Sequence, residues 1–547
     1  MYRIAARVTL CLLLISASSL GGPSALAAPA ADGLVAGLRR AIQSPPPGCT
    51  VAALDTLHPL APLLDGLYAP GGHQPLWRDP ARYEALIRAL DGLVADGLDP
   101  ARYGAVALRG LRNPTAAEDI PCRELLASSA YLAAIHHLNH GVLDRARLEP
   151  LWVDPRADVS PLYPAPADAL DVLAREGLAD PEAALHRARP ALPLYHRLRE
   201  ANGAWRARFN LATWPWVPEG PLLKPGMSDA RVPPLRERLA SVDLAMAAPP
   251  SPDAEHYGDD LVAAVRAFQA RHGLKVDGVV GGETLGALNT PRAFRQDQIR
   301  VNLERLRWLW RGMAPRMVLV DIAGARISHY RDGEPDWQAR VQVGTRARPT
   351  PSLRSRITHL TFNPTWTVPP TIYRNDKLPE IRRDLGYLAK NRIRVLDRDG
   401  RELDPRAIDW HNPGAIRLRQ DAGPTSALGL VAIRFPNPFA VYLHDTPNQQ
   451  LFASHQRTFS SGCVRVEGAM GLADLLLAGA GDEVLGRVEA IKASGRTRNV
   501  DLPAPVPLVM DYWTVAVDDD GALVFRPDIY HRDPALIAAL RGAEQSP

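Results

Sequence analysis

The spacing of apolar residues changes character near residue 315, and no single layer of secondary structure accommodates both halves. Before that point the period is helical: Tyr83, Leu86, Ile87, Leu90 and Leu93 share one face, and residues 125–138 follow the same rule. Ile299, Leu303, Leu306, Leu309 and Trp310 then mark an amphipathic helix. After it, residues 317–322, 340–343, 358–362 and 440–443 alternate as strands do, and strand periodicity dominates up to a turn around Cys463. Helices grouped ahead of strands predict a multidomain α+β chain, and 547 residues exceed one ordinary core. The expected units are a helical scaffold over 32–220, a small helical module over 224–291 and a linker helix over 292–314. A mainly-β, β-sandwich-like domain over 315–495 follows. A C-terminal segment over 496–547, containing Tyr512, Trp513 and Tyr530, is expected to pack on it.

Within the small module, Leu235 and Leu239 belong to one short helix and Leu261, Val265 and Phe268 to another. Gly273, Gly278, Gly281 and Gly282 punctuate the turns between them. Residues 245–256 are a Pro-containing stretch between these helices.

The first residues read differently again. Arg3 and Arg7 precede an apolar run over 8–14, and Ala25-Leu26-Ala27 offers a small-residue cleavage site, so residues 1–27 are expected to be a secretory signal peptide. The apolar run falls short of the ~20 residues that span a bilayer, although an uncleaved anchor is the alternative. Cleavage removes two positive charges and no acid from a formal net charge of +4. A chain so near neutrality is not built for nucleic acid. An oxidising compartment suits the cysteines: Cys11 leaves with the leader, and Cys49 and Cys122 can close a loop worth ~4 kcal/mol of chain entropy. Two free buried thiols are the alternative. His136, His137 and His140 lack spaced Cys, Asp or Glu companions and read as solvated or capping histidines, so neither a metal nor a cofactor is expected.

Cys463 alone among the cysteines lies beyond residue 122, nineteen positions after His444. A thiol becomes a strong nucleophile as the thiolate, and a nearby imidazole supplies the base. Ser461 and Gly462 allow a tight turn before Cys463, so the N–H groups of Gly462 and Cys463 are expected to hold an oxyanion. The helical pattern over 470–477 places Cys463 near a helix N-terminus, whose dipole favours a thiolate. His444 ends the β-like run 439–443, whereas His455 lies in a polar, loop-like stretch; the rigid position is the better one for a base. Asp445 points away from the ring, so a backbone carbonyl is the expected orienting group. Arg465 lies on the side of Cys463 if the chain is extended, where it binds a substrate carboxylate or, alternatively, pairs with Glu467. Trp366 and Tyr442 are candidate cleft walls. The competing reading is a structural Cys beside an unrelated His.

The sequences Tyr442-Leu443-His444-Asp445-Thr446-Pro447 and Ser460-Ser461-Gly462-Cys463-Val464-Arg465 resemble the active-site signature of the L,D-transpeptidases. Asn363-Pro364-Thr365-Trp366-Thr367-Val368-Pro369 resembles a segment of that family's longer members. The run from Phe268-Gln269 through His272-Gly273-Leu274 and Val276-Asp277-Gly278 to Thr284 is similar to a three-helix peptidoglycan-binding domain, whose usual loop is shorter than the stretch 245–256. The resemblance implies Cys463 as nucleophile, His444 as base, Gly462 at the oxyanion turn, and Tyr442, Trp366, Arg465 and Ser461 against the substrate. It further implies a cap inserted at about 372–424, peptidoglycan stem peptides as partners, 3→3 cross-linking, inhibition by carbapenems, contact with wall-synthesis proteins and a periplasmic location. Ser426 and Ala432 depart from the Asn and Lys of the pattern. An L,D-carboxypeptidase or cross-link hydrolase with the same site, and a non-catalytic wall-binding scaffold, are the alternatives.

Overall fold

The computed structural model describes residues 31–51, 60–113, 119–149, 169–209, 214–242, 253–309 and 313–545. The expected leader, Trp310 and most of the 245–256 insertion lie outside them.

Helices from Ala31 onward surround a central helix, α1 (Asp119–His140), buried on nearly every side. Its Ala127, Ala130, Ala133 and Ala134 let neighbouring helices approach closely, while Leu125, Tyr131 and Leu138 fill the space between them. Cys49 and Cys122 form a disulfide that ties the first helix region to the start of α1. His137 bonds the Tyr103 hydroxyl at 2.8 Å, and His136 stacks on His140.

The module comprises α2 (Val232–Val242), α3 (Asp259–Arg271) and α4 (Gly282–Leu288) around Leu235, Leu239, Leu261, Val265, Phe268 and Leu288. Gln269 organises the glycine-rich turn: its Oε1 accepts from Gly278 N at 2.8 Å and its Nε2 donates to Val279 O at 3.0 Å. Gly278 sits at φ +76°, and a Cβ there would meet Val262 Cγ1 at 2.9 Å, so the turn admits glycine alone. The module is docked, not suspended. His272 stacks on Phe525 at 5.8 Å, and Arg271 lies 3.5 Å from Asp518.

Helix α5 (Arg292–Leu309) departs from the expected linker. Ile299, Leu303, Leu306 and Leu309 pack between Leu192, Tyr195 and Leu198 on one side and Met317, Leu319 and Val509 on the other. Its polar residues Asn302, Glu304, Arg305 and Arg307 are buried as well, so the helix is an internal strut. An amphipathic pattern identifies the apolar stripe but is silent about what covers the opposite face.

The β domain contains β1 (Met317–Asp321), β2 (Arg326–Arg331), β3 (Glu334–Gly344), β4 (Leu353–Phe362), β5 (Trp366–Thr367), β6 (Ile393–Leu396), β7 (Arg417–Gln420), β8 (Val431–Arg434), β9 (Leu443–His444), β10 (Thr458–Ser460), β11 (Val464–Val466) and β12 (Arg498–Asp511). A hairpin of β13 (Val515–Val517) and β14 (Leu523–Phe525) follows. One nine-stranded sheet runs β10-β3-β11-β9-β8-β4-β12-β1-β2, and β2 also pairs with β3, so the sheet closes over a single core. Val320, Leu360, Ile433, Leu443, Val464 and Leu508 point into that core, which α6 (Ala469–Leu476) and α7 (Asp482–Ser494) cover with Leu472, Leu476 and Val488. The expected boundary at 495 does not divide the domain. Strand β12 lies in the middle of the sheet, between β4 and β1, and the β13–β14 hairpin and the helix α8 (Asp533–Gln545) lie outside it. The insertion over 372–424 joins the preceding β5 and Val368 to form a small sheet, β5-β7-β6, over Val368, Ile381, Leu388, Ile393, Val395 and Leu418.

Candidate active site

Strands β9 and β11 run parallel, with Leu443 opposite Val464 and His444 opposite Arg465. Side chains alternate across a strand, so this register fixes two sets of residues. Leu443, Val464 and Val466 go to the core, and Tyr442, His444, Cys463 and Arg465 share the opposite face, with His444 diagonal to Cys463. Gln342, opposite Arg465 on β3, and Ala432, opposite His444 on β8, extend that face. The apolar residues anchor the polar ones. Val464 and Leu443 are wholly buried, and truncating such a residue costs about 2–5 kcal/mol.

The turn before the nucleophile is held from three sides. Ser460 Oγ accepts from Gly462 N at 3.1 Å and donates to Cys463 O at 2.5 Å. Thr350 Oγ1 donates to Gly462 O at 3.0 Å and receives Gly344 N at 2.9 Å. The Tyr530 hydroxyl donates to Gly344 O at 2.7 Å and accepts from Thr350 N, so the C-terminal segment buttresses the turn. Gly462 has φ +112°, a region closed to L side chains, although the space around it would admit a Cβ. Gly462 N–H donates to Ser460 Oγ, and the Cys463 N–H has no acceptor among the described residues.

The helical pattern does not follow the turn directly: Cys463 leads into a strand, and α6 begins six residues later. Burial pushes the Cys463 thiol above its ordinary range, opposed by hydrogen bonds from the Tyr442 backbone and side chain and by the charges of Arg434 and Arg465. His444 is only 4% exposed, and burial, with Arg465 and Arg434 nearby, depresses its imidazole to about 3. Both shifts favour the neutral thiol and the neutral imidazole over an ion pair. His444 Nδ1 donates to the Asp445 carbonyl at 2.5 Å, which orients the ring and leaves Nε2 with the basic lone pair. The Asp445 carboxylate turns away to Leu430 N and Gln449.

The remaining candidates separate. Arg465 bonds Gln342 Oε1 at 3.0 Å, while Glu467 is taken by Arg340. Ser461 is exposed and receives Arg348 Nη1 at 2.9 Å. Arg348 also grips Asp376 of the inserted subdomain, at 2.5 and 2.7 Å. Trp366 packs in the subdomain's own core, 5.7 Å from Lys377 Nζ. His455 faces Glu283 of the module at 3.8 Å, away from the buried His444. Two contributors have no sequence signature. Tyr530 and Thr350 reach the turn from far along the chain, whereas Arg434 was open to discovery through the two-residue period of β8.

Residues 315–489 match the family model described as "L,D-transpeptidase catalytic domain", residues 62–201 that of a "Scaffold domain", and residues 228–288 that of a "Putative peptidoglycan binding domain". A curated protein of Haemophilus influenzae named "Putative L,D-transpeptidase" is 37% identical over 219 residues, which span 40% of this chain and 44% of that relative. Two solved L,D-transpeptidase structures are far more distant. One from Xylanimonas cellulosilytica shows 15% identity and a TM-score of 0.18 over 54% of this chain and 99% of its own; one from Mycobacterium smegmatis shows 14% and 0.17 over 36% and 59%. The chain thus matches the L,D-transpeptidase catalytic-domain model behind matches to the scaffold and peptidoglycan-binding models. No helix among the described residues is long and apolar enough to cross a membrane.

Proposed function

From an L,D-transpeptidase catalytic domain with a thiol and an imidazole on one sheet face, we propose a cysteine acyltransferase that forms 3→3 peptidoglycan cross-links. The observation that carries this reading is the β9–β11 register, which sets Cys463, Tyr442, His444 and Arg465 side by side. Cys463 Sγ attacks the carbonyl between the third and fourth residues of a donor stem while His444 Nε2 takes the thiol proton. The Cys463 N–H donates to the oxyanion. As the C–N bond breaks, the imidazolium returns that proton to the departing amine, leaving a thioester. The side-chain amine of a diamino acid on a second stem then attacks the thioester; a new amide forms, and a proton from that amine restores the thiol. Arg465 receives a stem carboxylate. The insertion over 372–424 covers the cleft, the module over 224–291 holds the wall, and residues 1–27 direct the chain to the periplasm. Carbapenems acylate the same thiol.

Incubation of the purified protein with disaccharide-tetrapeptide, read by mass spectrometry, tests the proposal. A cross-linked dimer is expected, absent for Cys463→Ala. Tripeptide alone would make the protein an L,D-carboxypeptidase, and unchanged substrate a binding scaffold.

A further inference from the structure

Two guanidinium groups converge on the face that carries Cys463, and neither has a carboxylate. Arg434 ends β8 two residues after Ala432; since Ala432 lies opposite His444 in an antiparallel pair, Arg434 comes opposite Tyr442 on the same face. Its guanidinium carbon stands 4.1 Å from the Tyr442 ring centroid. From the other flank comes Arg465, two residues after Cys463, whose guanidinium bonds the neutral Gln342 amide. Several other arginines of the domain have acidic partners: Arg340 with Glu467, Arg348 with Asp376, Arg394 with Asp421. Neither Arg434 nor Arg465 has an acidic partner among the described residues. Both are half-buried, so water replaces that partner only in part. Like charges gathered beside a buried thiol and a buried imidazole cost free energy in the empty site and recover it when an anion arrives.

We propose that Arg434 and Arg465 form a two-sided receiver for the terminal carboxylate of the donor peptide, and that Arg434 is the residue restricting donors to those ending one residue beyond the cleaved bond. This rests on the reading of Cys463 as the residue acylated by a stem peptide. The geometry of the chain supplies the ruler. In such a donor the terminal carboxylate lies three bonds from the carbonyl under attack, and each further residue moves it out by up to about 3.5 Å. Tyr442 fixes the other end. Its ring underlies Arg434 and its hydroxyl and backbone bear on the Cys463 thiol, so the cation is held in a set relation to the sulfur. A planar guanidinium offers a fork of donors, so that with one of them on the Tyr442 hydroxyl others remain for a carboxylate, which a lysine cannot match.

The test uses the full-length protein with three synthetic donors: a tetrapeptide with a free terminal carboxylate, the same peptide as its carboxamide, and one lengthened by a residue. Acyl-enzyme is followed by intact mass and kcat/KM by release of the terminal residue. The parent should prefer the free acid over the amide by at least about 10-fold, the size of a hydrogen bond to a charged group. Arg434→Ala should bring the acid-to-amide ratio towards one, mainly through KM, and admit the longer donor. Arg434→Lys should recover part of the ratio, and a thermal melt confirms that both variants fold. A parent indifferent to the terminal charge, or an Arg434→Ala protein that loses acid and amide donors equally, would overturn the receiver, the latter reducing Arg434 to a support for Tyr442. If no donor acylates the parent while iodoacetamide still alkylates Cys463, both the receiver and the stem-peptide reading fall. Acylation without charge preference removes the receiver alone.

Discussion

His444 and Cys463 share a sheet face in an environment that keeps both uncharged, and that has consequences at the bench. An ion pair would give an alkylation rate already level between pH 6 and 8. Here burial holds the thiol above its ordinary value near about 8.5 and the imidazole down at about 3. Iodoacetamide reactivity of Cys463 should therefore climb with pH beyond about 9, without a plateau near neutrality; a plateau at neutral pH would show that the pair is charged at rest. Which histidine serves as base follows from placement. His444→Ala should slow acylation by at least ~10²-fold, the usual scale of general-base help. His455, exposed and turned to Glu283, should tolerate alanine within a few-fold. Stopped-flow acylation of the two variants decides between them, and the opposite ranking would remove His444 from the mechanism.

Between elements, one ion pair joins the inserted subdomain to the nucleophile turn. Arg348 holds Asp376 with two hydrogen bonds and touches Ser461 with the same guanidinium. Both partners are about a third exposed, so the pair is worth at most about 1 kcal/mol, enough to bias a cover but not the fold. The Arg348 hydrogen bond holds the Asp376 carboxyl below its ordinary range. A group depressed on folding stabilises above its unfolded pKa and loses that contribution as pH falls through the folded one, so the latch should loosen only in acid. Asp376→Asn should raise amide hydrogen exchange over residues 372–424 several-fold at neutral pH while leaving the global melting temperature in place. Unchanged exchange there would mean that the small core around Ile381, Val395 and Leu418 holds the subdomain by itself.

Across the whole molecule, buried charge ties scaffold, strut and catalytic domain into one body. Arg305 on α5 bonds Asp533 Oδ1 at 2.6 Å and approaches Glu149 of the scaffold at 3.5 Å, with all three side chains almost fully buried. Arg145 reaches from the scaffold to Asp511 at the end of β12, at 2.5 Å. Removing one member of such a network strands the others. Arg305→Met should lower stability by about 3–5 kcal/mol, seen as an earlier denaturant midpoint, and adding Asp533→Leu should restore much of it. If the single and double variants unfold alike, the network carries no stranded charge and the packing of α5 is what matters.

Legibility in the sequence followed the range of the interactions. Periodicity is local, so the helices before residue 310, the three-helix module and the strands of the β domain were readable from the spacing of apolar residues. The nucleophile turn was readable for the same reason: Ser460, Gly462 and Cys463 make their geometry within four residues. Strand order is not local. That β12, expected to pack outside, runs between β4 and β1, and that α5 buries its polar face, depended on partners as far as 228 residues away. The same holds for charge. Spacing singled out Cys463 and His444, but the burial of both and the convergence of Arg434 with Arg465 arise from the β8–β9–β11 register. Sequence by itself determined which side chains could do chemistry; only the folded sheet, by burying some of them and leaving two guanidiniums without counter-charge, decided in what state they wait.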